Sequence, residues 1–203
     1  MTGSGPRFVI RPAEAGDLEP LESLISQVRV GITSLAIDRQ TLQERIEQSS
    51  ASFSTEILEP GAERYFFVLE EPGSNRIAGM SAVRAAIGLV EPFYSYRVGT
   101  EVHASKELGI RRQLPALYLS NDYTGCVELT SLFLGPSYRG KGLGTLLSKS
   151  RLLFMGEFPH RFADKVIAEI RGISDSQGRS PFWDGLGRHF FAMDFPTADH
   201  LVG

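Results

Sequence analysis

The chain has 203 residues, 42% hydrophobic and 22% charged, a composition that builds one sizeable globular core. A formal charge of -3 leaves no basic excess for a polyanion, which sets nucleic acid aside as a partner. The apolar stretches are too short and too interrupted to cross a bilayer, which sets a membrane aside as well.

Cys126 stands alone and cannot form an intrachain disulfide, and Met1 to Pro6 lack the pattern of a signal peptide, so a reducing, cytoplasmic setting is expected. His103, His160, His189 and His200 lie far apart, without metal-ligand spacing to Cys126. No metal site is expected.

Phe8 to Arg11 is a short strand-like run. Asp17 then precedes Leu18, Leu21, Leu24, Ile25 and Val28, which recur at helical spacing. A second helix is predicted from about Gln40 to Phe53, with Leu42, Ile46 and Phe53 on one side. Between the two, Gly31 to Leu35 is a loop placed to admit substrate. Arg64 to Glu70 and Arg76 to Ala82 read as antiparallel strands around the turn residues 72–75.

Pro92 to Ser105 mixes aromatic and polar residues without a period and reads as a partly irregular surface element. Leu114 to Leu119 and Cys126 to Leu134 read as strands joined by a turn at 121–125. A helix from about Lys141 to Phe158 follows, then a strand from Lys165 to Ile170. Ser180-Pro181 opens a helix running to about Gly187, and Arg188 to Asp194 reads as a last strand. The order predicts an α/β (α+β) fold, a mixed and mostly antiparallel sheet flanked by helices, rather than a doubly wound sheet.

The chemistry concentrates where Leu132-Phe133-Leu134 runs through a tight turn into Arg139-Gly140-Lys141-Gly142-Leu143-Gly144 and a helix. A helix's first turn offers unpaired N–H groups and a positive dipole end, which together hold a phosphate. Glycines there let the anion approach the backbone, and Arg139 and Lys141 add charge at the rim. The other reading of this run is a solvated, flexible turn. A dinucleotide-binding reading is weaker, because the motif does not follow a first strand and no acidic ribose partner follows at the expected distance.

The Arg-x-x-Gly-x-Gly spacing between strand and helix resembles the signature of the GNAT superfamily of acyl-CoA N-acyltransferases. A closer resemblance, to the arginine N-succinyltransferase family, rests on several blocks in order. They are Ile10-Arg11-Pro12, Gly31-Ile32-Thr33-Ser34-Leu35, residues 92–99, His103 to Leu108, Glu128-Leu129, Leu146 to Arg151 and Ser180-Pro181-Phe182-Trp183.

The resemblance implies transfer of succinyl from succinyl-CoA to the α-amino group of L-arginine, with succinyl-CoA as co-substrate and no permanently bound cofactor. It implies that Leu132 contacts succinyl-CoA, and that residues 1–203 form one GNAT-like domain of a family that has a further C-terminal half. A homo-oligomer, or a partner chain supplying that half, is then expected. The alternatives are a non-catalytic acyl-CoA-binding module and one part of a split transferase.

Acylating an amine needs a proton acceptor, a polarised carbonyl and a proton donor for the thiolate. Glu128 and Glu169 are candidate bases, each with the alternative of a structural ion pair. Backbone N–H groups near Leu132 to Leu134 are candidates for the thioester oxygen, and Phe93, Tyr94 and Tyr96 for a substrate cleft or for core packing. Asp122 and Arg97 are candidates for binding arginine, and Ser148 to Arg151 for the distal carboxylate of the acyl group. Cys126 reads as a small core residue.

Two departures from the family pattern stand out. Trp183 occupies the place before Leu186-Gly187 where many superfamily members carry a proton-donating tyrosine. The family's histidine donor lies after the Ala198-Asp199-His200-Leu201 block.

Overall fold

The computed structural model describes residues 8–27, 38–74, 76–170, 172–175, 177 and 179–202, and the side chains of all of these except 199, 200 and 202. The predicted loop at Gly31 to Leu35 lies outside the described residues, as do Val28, Asn75 and the start of the chain.

Among the described residues, five strands form one sheet in the order β1-β2-β3-β6-β7. These are β1 (Val9–Pro12), β2 (Arg64–Glu71), β3 (Arg76–Arg84), β6 (Val127–Leu134) and β7 (Val166–Ile167). Every pairing is antiparallel except that of β6 with β7. This is the mixed, mostly antiparallel sheet flanked by helices that the sequence predicts.

Helices α1 (Leu18–Ile25) and α2 (Arg39–Ser54) cover one face, where Leu21, Leu24, Leu42 and Ile46 pack on Phe66, Val68, Met80, Ala82 and Phe133. Helix α3 (Leu143–Glu157) covers the other. Leu143 and Leu147 pack there on Leu69 and Ala78, while Phe53, Tyr65, Phe67, Phe154 and Phe162 meet in an aromatic cluster. Period-two alternation along the strands sends successive side chains to opposite faces, so β2, β3 and β6 each supply both cores.

Strand β1 is short, and β2 outlasts it. Beyond the last paired residues, Pro12 and Phe67, helix α2 completes the bonding: Ser49 Oγ accepts from the Phe66 N–H at 2.8 Å and Ser52 Oγ from the Arg64 N–H at 3.1 Å. At the other end of α1, Asp17 is buried. It accepts from both terminal nitrogens of Arg11, at 2.7 and 2.8 Å, and from the Glu14 N–H at 2.8 Å, tying β1 to the helix start.

Three elements differ from expectation. The segment expected to be irregular contains a regular strand, β4 (Ser95–Ser105), paired along its whole length with β5 (Ile110–Ser120) in a separate two-stranded sheet. Nearly all its residues face solvent on both sides, so no apolar alternation marks it.

The expected strand at Arg188 to Asp194 is instead helical. A π-turn at Trp183–Gly187 runs into α4 (Arg188–Phe191), ended by Ala192 at φ 51°, and α5 (Phe195–Val202) follows. Aromatic residues there pack on one another, with Trp183 stacked on Phe191 at 5.7 Å and tilted against Phe195 at 6.1 Å. The strand expected over Lys165 to Ile170 is paired only at Val166 and Ile167.

Candidate functional site

Strand β6 carries the irregularity on which the site is built. Its pairing with β3 runs Glu128, Leu129 and Thr130 against Arg84, Val83 and Ala82, and then resumes with Phe133 against Met80. Ser131 and Leu132 therefore both face Ser81, and Ser131 adopts φ 53°. This is a β-bulge, which turns backbone groups out of the ladder. Leu132 is exposed beside it. Ser81 Oγ, buried opposite, has no hydrogen-bond partner among the described residues.

On its other side β6 meets β7 only at Val127 and Glu128. Past that point the ladder ends, and among the described residues the edge of β6 from Leu129 to Leu134, with the bulge in it, has no paired strand on that side.

The chain runs from the end of β6 through the glycine-rich turn into α3. Gly140 and Gly142 have φ 79° and 76°, a backbone region that side chains with a Cβ rarely enter, and open space surrounds both. Gly142 is the N-cap of α3 and no side chain caps that end. Its carbonyl accepts from Leu146, so the first-turn N–H groups of Leu143, Gly144 and Thr145 precede the first intrahelical bond and point outward. A Cβ on Gly144 would meet only Leu134 Cδ2, at 3.8 Å.

Lys141 is exposed at the rim, as expected. Arg139 is not held out as free rim charge: its Nε donates to the Leu134 carbonyl at 3.2 Å and its guanidinium lies 5.9 Å from the Phe133 ring centre.

The two candidate bases separate. Glu128 is 7% exposed and accepts from Arg84 at 3.2 Å, the structural ion pair that was its alternative reading. Glu169 is solvent-accessible and lines a cleft of about 570 Å³ with Phe93, Tyr94, Tyr96, Tyr123 and Ile167. Partial desolvation, and then the charge of Glu128, push its carboxyl above the usual range, with Arg84 opposing. The aromatic residues of the predicted cleft and one candidate base thus face the same space.

Other candidates fall elsewhere. Arg97 and Asp122 bind each other through contacts of 2.8 to 3.2 Å on the surface, so neither is open to a substrate in this arrangement. Arg151 is buried on the inner side of α3 and donates to the Thr130 carbonyl at 3.3 Å and to Ser148 Oγ at 3.1 Å, while Lys149 faces solvent. Cys126 is buried in the core.

Trp183 Nε1 donates to the Met193 carbonyl at 2.9 Å, so the indole is a packing element. The sequence reading missed a group of three arginines, Arg45, Arg64 and Arg84, on the α1/α2 face of the sheet beside the bulge. Strand register brings them together, and no local motif marks them.

Comparison with known proteins gives concordant matches. The family model described as arginine N-succinyltransferase beta subunit matches residues 8–203. An arginine N-succinyltransferase of Escherichia coli is 50% identical over 197 residues, covering 97% of this chain and 57% of that protein. The solved structure of arginine/ornithine succinyltransferase subunit AI from Pseudomonas aeruginosa superposes with a TM-score of 0.91 at 44% identity, covering 98% of this chain and 60% of that one. The chain therefore spans less than two thirds of the length of either relative.

Proposed function

From the premise that the chain belongs to the arginine N-succinyltransferase family, we propose that it carries the acyl-CoA site of a transferase that moves succinyl from succinyl-CoA to the α-amino group of L-arginine. The Pseudomonas relative's name pairs arginine with ornithine, which makes ornithine the alternative acceptor. The observation that carries the reading is the bulged edge of β6, unpaired beyond Glu128 among the described residues and followed in the chain by the uncapped N-terminus of α3.

In this reading the CoA pyrophosphate lies over residues 139–144, held by the first-turn N–H groups of α3 and the charge of Lys141. The pantetheine arm follows the free edge of β6 past Leu134, Phe133 and Leu132. The thioester oxygen meets backbone N–H groups at the bulge, which stabilise negative charge as the tetrahedral intermediate forms.

The acceptor enters through the aromatic cleft. Its neutral amine attacks the carbonyl carbon, and Glu169 takes the departing proton through a water. The C–S bond then breaks, and the thiolate receives a proton from Tyr94, Tyr96 or Tyr123, the hydroxyls that line the cleft. His103 lies out on β4 and faces solvent beside Glu101. The free, buried Cys126 supports a reducing, cytoplasmic setting.

One observation favours the rival reading, an acyl-CoA-binding module without turnover. Trp183 stands where many superfamily members carry a donor tyrosine, and it is locked in packing. Residues 1–203 as one acyltransferase domain of a longer or two-part enzyme accommodate both readings.

The anion site is tested at Gly144 rather than Gly142, because valine at Gly142 would be strained by its φ of 76° whatever the ligand does. Gly144→Val is expected to keep its melting temperature within a few degrees and to lose CoA affinity by about tenfold or more. Unchanged CoA affinity in the folded variant would contradict the reading.

A further inference from the structure

The acceptor cleft lacks a group that its substrate requires. Its lining holds one carboxylate, Glu169, and aromatic rings but no cation, and the adjoining Arg97 is committed to Asp122. An amino-acid acceptor brings a carboxylate of its own, which calls for a guanidinium or ammonium partner once water is excluded.

The β4–β5 hairpin, rooted in this cleft through Tyr94, Ser95 and Tyr96, has two unlike faces. Its register and period-two alternation put Arg97, Glu101, His103 and Arg112 on one side. The other side carries Tyr96, Val98, Val102, Leu117 and Leu119, all exposed, and a single charged residue, Arg111, paired with Ala104 near the tip. Among the described residues Arg111 has no hydrogen bond or ion pair. Lys106 and Arg112 add to the positive charge of that end, with Glu107 alone opposing. The strands β4 and β5 pair only with each other, and two strands without a covering layer are marginal in water.

We propose that two copies of the chain pack these apolar faces together with their hairpins pointing in opposite directions, so that Arg111 of each copy reaches the acceptor cleft of the other and binds the acceptor's carboxylate. The assignment rests on the acyl-transfer reading above. Aligned sheets packed face to face lie about 10 Å apart, a gap that an arginine side chain largely spans. Centred on Thr100, the middle of β4, full overlap sets Ala104 and Arg111 of one copy over Tyr96 of the other. Tyr96 belongs both to the apolar face and to the cleft lining, so the two adjoin. A two-fold contact of this kind completes both clefts at once.

Charge decides the direction. Opposed hairpins bring a basic tip to a cleft that has a carboxylate and no cation, whereas hairpins pointing the same way would set tip against tip and like charge against like. Within one chain Arg111 cannot serve, because the run of strand from Tyr96 to Ala104 holds it about 27 Å from its own cleft.

The test measures equilibrium binding of L-arginine and of agmatine, which is arginine without its carboxylate, to the full chain at saturating CoA, where no acyl group can transfer. Wild type is expected to be dimeric by light scattering and to bind L-arginine more tightly than agmatine. Arg111→Met should reduce that preference by about tenfold or more through L-arginine alone, since a charge-assisted bond to a carboxylate contributes on that scale. Its agmatine affinity, CoA affinity and dimer should be unchanged, and Arg111→Lys should restore part of the preference. Val102→Glu brings two like charges to the middle of the contact, about 20 Å from the chain's own cleft, and should give monomers with the same loss. Should that variant fail to fold, dilution of the wild type to monomer reads the same loss.

Equal affinity of the wild type for both amines, an unchanged preference in Arg111→Met, or a monomer that keeps the preference would overturn this assignment and leave the acyl-transfer reading standing. So would a wild type monomeric at every concentration, a folded Val102→Glu that stays dimeric, or a one-to-one complex with the remaining segment of the family that replaces the dimer. Failure of the wild type to bind CoA or succinyl-CoA would remove the acyl-CoA reading and this inference with it.

Discussion

Glu128 and Glu169 are two carboxylates with the same sequence-level claim, and their surroundings divide them. Glu128 pairs with Arg84 in the sheet, where removing Arg84 strands a buried carboxylate. Glu169 faces the aromatic cleft with its carboxyl pushed upward by desolvation and by Glu128. A general base works only when deprotonated, so a raised value moves the acid limb of kcat/KM to a pH above the ordinary carboxylate range of about 4.3. Glu169→Gln is expected to lower kcat by about a hundredfold and to abolish that limb, measured as a pH-rate profile with succinyl-CoA and L-arginine. A variant that keeps both rate and limb would take the base away from Glu169. The glycine turn was legible in the sequence because its chemistry is local: backbone, helix end and glycine are contiguous from Arg139 to Gly144. The arginine group was not, because Arg45, Arg64 and Arg84 are far apart in the chain and meet only once strand register is set.

Among the elements, α2 serves both the core and the hydrogen bonding of the sheet. Its serines finish the β2 ladder where β1 ends, and its Arg45 lies beside Arg64 of that strand. Ser49→Ala leaves the buried Phe66 N–H without an acceptor, at a cost of about 1–3 kcal/mol. Denaturant titration should show this as a lower midpoint with unchanged slope, and an unchanged midpoint would mean that another acceptor replaces the hydroxyl. Periodicity marked α1, α2, β2 and β3 correctly because each buries one or both faces in the core. It could not mark β4, whose register is set by pairing with β5 alone, and it misassigned Arg188 to Asp194, where aromatic residues resemble a strand but pack within a helical turn. The Ser180-Pro181 start held, with Ser180 Oγ accepting from the Trp183 N–H at 3.4 Å.

Among the described residues the β4–β5 hairpin presents a large uncovered surface, with Val98 75% and Leu119 60% exposed and Leu117, Val102 and Leu114 exposed beside them. Two strands without a third layer are marginal in water, and apolar surface of this extent is normally covered. A second copy of the chain is expected to cover it, seen as a rise in mass with concentration by light scattering. Val98→Lys with Leu117→Lys, cross-strand neighbours, should shift the population to monomer, and a wild type monomeric at every concentration would contradict this. The root of the same hairpin lines the cleft through Tyr94, Ser95 and Tyr96, so its order bears on the acceptor site. The transfer reaction itself is tested by thiol release from succinyl-CoA with and without L-arginine, by this chain alone and with the remaining segment of the family added. Thiol release is expected to depend on arginine and to saturate in both substrates, in this chain alone and with that segment added. Succinyl-CoA that binds but yields no arginine-dependent thiol under either condition would contradict it and leave a binding module.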